Sequence, residues 1–169
     1  MFAIGTAAGT GVYISEDRRT SGIFIEDEAI ELKSARRINQ QLGDQVHINV
    51  TSFNRNVLLT GEAPTATMKA DAEKLVMSVD NVRKIFNEIA VAGNTSLATR
   101  SNDSLITSKV KGRFLSARKF QINHIKIVTE NSIVYLMGMV TRQEADSAAE
   151  IASSTSGVAR VVKVFEYLN

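Results

Sequence analysis

The chain has 169 residues, 44% of them hydrophobic and 22% charged, with a formal net charge of +2. That balance excludes a disordered chain, and so small a net charge means that any electrostatic argument must be local. It has no cysteine, which excludes disulfides, thiol nucleophiles and cysteine-type zinc sites.

The first fourteen residues, "MFAIGTAAGTGVYI", carry no charge. The stretch is shorter than the ~20 apolar residues of a membrane span. It also lacks the basic start of a signal peptide. Residues 1–26 are therefore expected to form a flexible tether. The "GTG" at 9–11 is a fragment of a glycine loop with no strand before it. The acids of "SEDRR" (15–19) and "EDE" (26–28) read as helix-dipole caps rather than a catalytic pair.

From residue 27 onward the chain repeats itself. "HINVTSFNRNVLLTGEA" (47–63) aligns with "HIKIVTENSIVYLMGMV" (124–140) at an offset of 77. His47 falls on His124, Val57 on Val134, Leu59 on Leu136 and Gly61 on Gly138. Upstream the offset is 76: Asp27, Ile30, Lys33 and Ile38 meet Asp103, Ile106, Lys109 and Phe114. Downstream, Val82 and Ile85 meet Val158 and Val161. Two copies, 27–91 and 103–169, flank a small polar joint, "AGNTSLATRSN" (92–102).

Each copy predicts the same elements in order. A helix comes first, with an Asp near its start and apolar residues at helical spacing: Ile106, Val110, Phe114 and Ala117 in the second copy. Two alternating strands follow, joined by Asn-containing turns suited to hairpins. The repeated glycine closes the second strand. Next comes an Ala-rich helix, "PTATMKADAEKLVMSV" or "TRQEADSAAEIASST", and then a last strand, "VRKIFNEIAV" or "VARVVKVFEYL". The order α-β-β-α-β predicts an α+β unit with two helices on one face of a three-stranded sheet.

The copies differ in charge. The first has eight basic and nine acidic residues; the second has nine basic and six acidic. Between Asp103 and Glu130 there is no acid, only Lys109, Lys111, Arg113, Arg118, Lys119 and Lys126. On a helical wheel of 103–117, Leu105, Lys109, Gly112 and Ser116 lie away from the core stripe. Leu115 and Lys111 lie on the other flank. Leucines ringed by cations, with Arg113 among them, suit an anionic lipid surface. Nucleic acid is not expected as a partner, because no aromatic platform interleaves with the basic residues and only Phe120 is free of the core stripe.

Nothing points to catalysis, a metal or a cofactor. The histidines occupy equivalent positions, which argues for a shared structural role. No G-x-S-x-G, H-E-x-x-H, complete G-x-G-x-x-G or P-loop occurs.

The segments "NVLLTGEAPT" and "IVYLMGMVTRQEADSAAEIASSTSGVARVV" resemble the BON domain, two of which would cover most of the chain. "DRRTSG" (17–22) and "SNDSLITSKVKGRFL" (101–115) resemble a narrower group. These are the dual-BON, division- and outer-membrane-stress-associated lipid-binding lipoproteins of Gram-negative bacteria. The resemblance implies an exported, lipid-anchored protein at the periplasmic face of the outer membrane. The sequence, which lacks the lipobox cysteine, is expected to begin just past it. The resemblance also implies anionic phospholipid binding by the first helix of the second copy, through Leu105, Lys109, Val110, Lys111, Gly112, Arg113, Leu115 and Ser116. This chain has Leu105 where the family often carries Trp, a better headgroup-level anchor. The function expected is non-enzymatic and supports membrane integrity. The alternative is an envelope adaptor that contacts outer-membrane assembly or cell-wall remodelling proteins.

Overall fold

The computed structural model describes residues 18–168. The uncharged stretch at 1–14 and its "GTG" lie outside the described residues. The chain divides into two compact units. One is Ile25–Thr99. The other runs from Arg100 onward and takes in Phe24 and the described residues before it.

The elements follow the expected order. The first set is α1 (Ser21–Leu42), β1 (His47–Phe53), β2 (Asn56–Ala63), α2 (Ala66–Met77), β3 (Lys84–Asn87) and β4 (Ala90–Val91). The second is α3 (Leu97–Ala117), β5 (Ile125–Glu130), β6 (Ile133–Val140), α4 (Arg142–Ser153) and β7 (Arg160–Tyr167). In each sheet the hairpin is antiparallel and the last strand runs parallel to the middle one, in the orders β1-β2-β3 and β5-β6-β7.

Both helices of a unit share one face of its sheet. Val57 and Leu59, two apart on β2, pack with Ile30 and Ile38 of α1 and with Ala72 and Val76 of α2. Val134 and Leu136 do the same with Ile106, Val110 and Phe114 of α3 and Ala145, Ala148 and Ala152 of α4. The alternation on one strand sends residues of one parity to one face. Alanines on the second helix let its backbone approach the sheet.

The last strand of the first unit is interrupted where one strand was expected. Asn87 donates its amide to Lys69 O and Glu73 Oε1, both at 3.0 Å, and its Oδ1 accepts the Ile89 N–H at 3.3 Å. This local turn replaces a straight ladder between β3 and β4. The register to β2 is unchanged on either side.

The first helices start six residues before the expected aspartates. Thr20 Oγ1 accepts the Ile23 N–H and Ser96 Oγ accepts the Thr99 N–H, both at 3.1 Å. These hydroxyls are the N-terminal caps. Asp27 and Asp103 lie inside the helices instead, buried, with their carboxylates turned to the hairpins. Asp27 accepts from the backbones of Asn54 and Arg55 and from Ser52 Oγ, all at 2.7 Å. Asp103 accepts from the backbones of Asn131 and Ser132 at 2.8 Å. All four turn residues have φ between 50° and 65°, the left-handed pair of a type I′ hairpin turn.

The repeated glycines lie within β2 and β6, two residues before each strand ends. A Cβ on Gly61 would lie 1.9 Å from His47 O, and one on Gly138 would lie 2.2 Å from His124 O. The repeated His–Gly pair is thus a close backbone approach across the hairpin. His47 also places Nδ1 2.9 Å from Glu62 Oε1, which accepts the Thr95 N–H at 3.1 Å.

Candidate functional site

The site is built on α3. Asp103, Ile106, Val110 and Phe114 face its core. The opposite face carries three exposed leucines: Leu97, Leu105 and Leu115 are 80%, 53% and 59% exposed. At 1.5 Å per residue they span about 27 Å of helix. Ser101, Ser104, Ser108 and Gly112 lie among them, all exposed. The helix ends at Arg118, whose φ of 54° is left-handed and whose N–H donates to Phe114 O at 3.3 Å.

Beside this face runs an open groove of about 570 Å³, between α3 and the turn after α4. Lys109, Gly112, Arg113 and Ser116 line it from α3, with Ser108; Ser154, Thr155 and Ser156 line it from the turn. Lys109 Nζ donates to Ser156 Oγ at 3.2 Å. Arg113 Nη1 donates to Ile151 O and Thr155 Oγ1 at 2.8 Å, and to Ser154 Oγ at 3.0 Å. A cleft of hydroxyls with two cations on its wall offers hydrogen bonds and charge to an anion such as a phosphate.

The eight expected residues therefore divide. Lys109, Gly112, Arg113 and Ser116 meet at the groove. Leu105 and Leu115 stand on the exposed face. Lys111 is exposed and lies outside the groove lining. Val110 is a correction: it is fully buried in the second core and has no surface to offer lipid. Arg113 has a prior duty, because its guanidinium holds the Ile151 carbonyl in the last turn of α4. The first unit repeats this brace, with Arg37 Nη1 donating to Ser78 Oγ at 2.6 Å. Phe120 is not free; it packs edge-on against Phe114 with centroids 4.9 Å apart.

Two features escaped the sequence reading. Leu97 fell in the expected joint, although Ser96 three residues before Thr99 is a capping signal. The "STS" at 154–156, where the sequence ends the Ala-rich helix, forms the groove wall.

A further contact ties down residues just before α1. Arg18 sets its two Nη atoms on Glu144 at 2.7 and 2.8 Å and donates to Met139 O at 2.8 Å. Glu144 belongs to the capping box of α4, accepting the Thr141 N–H at 3.0 Å while Thr141 Oγ1 accepts the Glu144 N–H at 3.1 Å. The Arg18 hydrogen bonds, against the opposing effect of burial and helped by the Thr141 N–H, hold Glu144 down at about 2. Among the described residues, no helix is long and apolar enough to cross a membrane.

Known proteins are similar to this chain. The BON domain family profile matches residues 26–93 and 102–169. The "Outer membrane lipoprotein DolP" of Haemophilus influenzae is 36% identical over 92% of this chain and 82% of its own length. The "21 kDa hemolysin" of Actinobacillus pleuropneumoniae is 34% identical over 90% of this chain and 79% of its own. The "Osmotically-inducible protein Y" of Escherichia coli is 26% identical over 92% of this chain and 80% of its own.

Proposed function

The chain belongs to the BON domain family, with two copies, and from that premise we propose that it is a non-enzymatic outer-membrane envelope protein that binds anionic phospholipid through α3. The observation that carries the reading is the outward face of that helix. Three leucines stand exposed along it, while Lys109 and Arg113 on one flank and Lys111 on the other supply positive charge. Apolar side chains would enter the headgroup boundary, and each cation near an anionic surface adds ~1 kcal/mol. The hydroxyl-lined groove would take a phosphate beside Lys109. The Haemophilus relative's name, an outer membrane lipoprotein, supports an envelope location. A lipid anchor at the periplasmic face would supply the second attachment that makes weak interfacial binding stable.

Vesicle co-sedimentation tests this. The whole chain should pellet with anionic vesicles at low salt, less at high salt, and not with zwitterionic ones. Leu105→Glu should abolish pelleting. No binding to anionic vesicles at low salt would overturn the reading and favour an adaptor with an acidic protein partner.

A further inference from the structure

The first unit has an open groove of its own, of about 360 Å³, between α1 and β1. Leu32, Ala35, Ile48 and Val50 give it an apolar floor, and Glu28 and Glu31 stand on its rim. Leu32 is 56% exposed, and Ile25, two helical turns before it on the same flank, is 64% exposed. Glu28 is exposed and forms no ion pair among the described residues.

The wall opposite α1 is a sheet edge. Among the described residues β1 pairs only with β2. The Ser52 N–H points away from β2, because it donates to Glu31 Oε2 at 2.8 Å. In an antiparallel strand every second residue turns its N–H and C=O the same way. Val50 and Ile48 therefore present their backbone groups to the groove. An exposed edge beside a helix with an apolar floor is the geometry that accepts an extended peptide as an added strand.

In the second copy β5 is an edge strand too, but the residues of the flank differ. At the offset of 76, Ile25, Glu28, Leu32 and Ala35 are matched by Ser101, Ser104, Ser108 and Lys111. The same fold thus exposes an acidic, apolar flank in one copy and a hydroxyl-rich, basic one in the other. Acids at the rim repel an anionic membrane and attract a cationic side chain. We infer that the groove between α1 and β1 docks an extended peptide segment of another protein that carries an aliphatic and a basic residue two positions apart, so that both face α1. Its backbone pairs with Ile48 and Val50, its aliphatic side chain sits on Leu32 and Ala35, and its cation meets Glu28.

The test uses the full chain and three blocked nonapeptides with serine flanks. Their cores are Val-Ser-Lys, Val-Ser-Glu and Val-Ser-Ser. Fluorescence anisotropy reads affinity, and amide shifts read location. The lysine peptide should saturate, move the amides of Ile48 and Val50, and bind at least tenfold tighter than the glutamate peptide. Glu28→Lys and Leu32→Glu, both at exposed positions, should each weaken it at least tenfold while the melting curve stays unchanged. Vesicle binding should not change either, so a failure here is separable from a failure of the lipid reading. The inference is overturned by no saturable binding of the lysine peptide, by affinity indifferent to both substitutions, or by shifts on α3. Self-association of the chain that Leu32→Glu abolishes would also overturn it, by assigning the groove to a second copy.

Discussion

Asp27 and Asp103 are the residues on which each hairpin closes. A type I′ turn leaves two backbone N–H groups without a ladder partner, and in each unit a buried carboxylate on the first helix accepts both. Hydrogen bonds to a charged acceptor contribute more than neutral ones, and losing the acceptor leaves two backbone donors of the turn without it. Asp103→Ala should lower stability by about 3 kcal/mol, read as the urea midpoint at unchanged slope. Gly138→Ala should cost about 2 kcal/mol, because its Cβ needs space that the His124 carbonyl fills. Glu144 gives a pH signature. Its folded pKa of about 2 lies below the ordinary 4.5. Its contribution is therefore complete above pH 4.5 and lost as pH falls from there toward 2. The stability difference between the parent and Glu144→Gln should be constant from pH 7 to 5 and shrink below 4.5; a difference flat down to pH 2.5 would refute the assignment. The repeat made these positions visible, since Asp, His and Gly recur at fixed offsets. It could not say what each touches, because recurrence shows that both copies need a residue without naming its partner.

At the scale of the element, α3 separates two duties that the sequence runs together. "SKVKGRFLS" reads as one basic stretch, yet a helix distributes its residues around 360°, and the fold spends them differently. Val110 goes to the core, and Arg113 closes the end of α4. Lys111 is left on the surface. Arg113→Gln should lower stability by about 1 kcal/mol through the lost brace. Lys111→Gln should leave the unfolding midpoint within about 0.5 kcal/mol and weaken vesicle binding about fivefold, the loss of one cation near the surface. Circular-dichroism melts beside the pelleting assay would separate the two. The wheel located the outward stripe and the core stripe correctly, since both depend only on helical period. The sequence puts Asp103 near the helix start, where a cap is needed. The hydroxyl of Ser96 does that work, and the six residues it adds bring Leu97 onto the exposed face. The groove was not legible at all, because its second wall is built by residues some forty positions later.

For the whole molecule, the two copies show that one fold can hold different surfaces over cores that match at most positions. Val57 and Val134, Leu59 and Leu136, Ile30 and Ile106 stay apolar at matching positions because the helix-on-sheet layer demands it. The first helices differ most where that demand is absent, although α1 has a buried Ser34 where α3 has Val110. α1 exposes Ile25 and Leu32 beside Glu28, whereas α3 exposes Leu105 and Leu115 beside lysines. No residue belongs to both faces, and substitutions at sites with no shared partners act independently. Leu105→Glu should therefore abolish vesicle binding and leave affinity for the lysine peptide within twofold. Leu32→Glu should do the reverse. Loss of both activities in either variant, with folding intact by near-ultraviolet circular dichroism, would mean that the two surfaces are coupled. A clean exchange would mean that duplication let one copy keep the chain at a membrane and freed the other to hold a partner there.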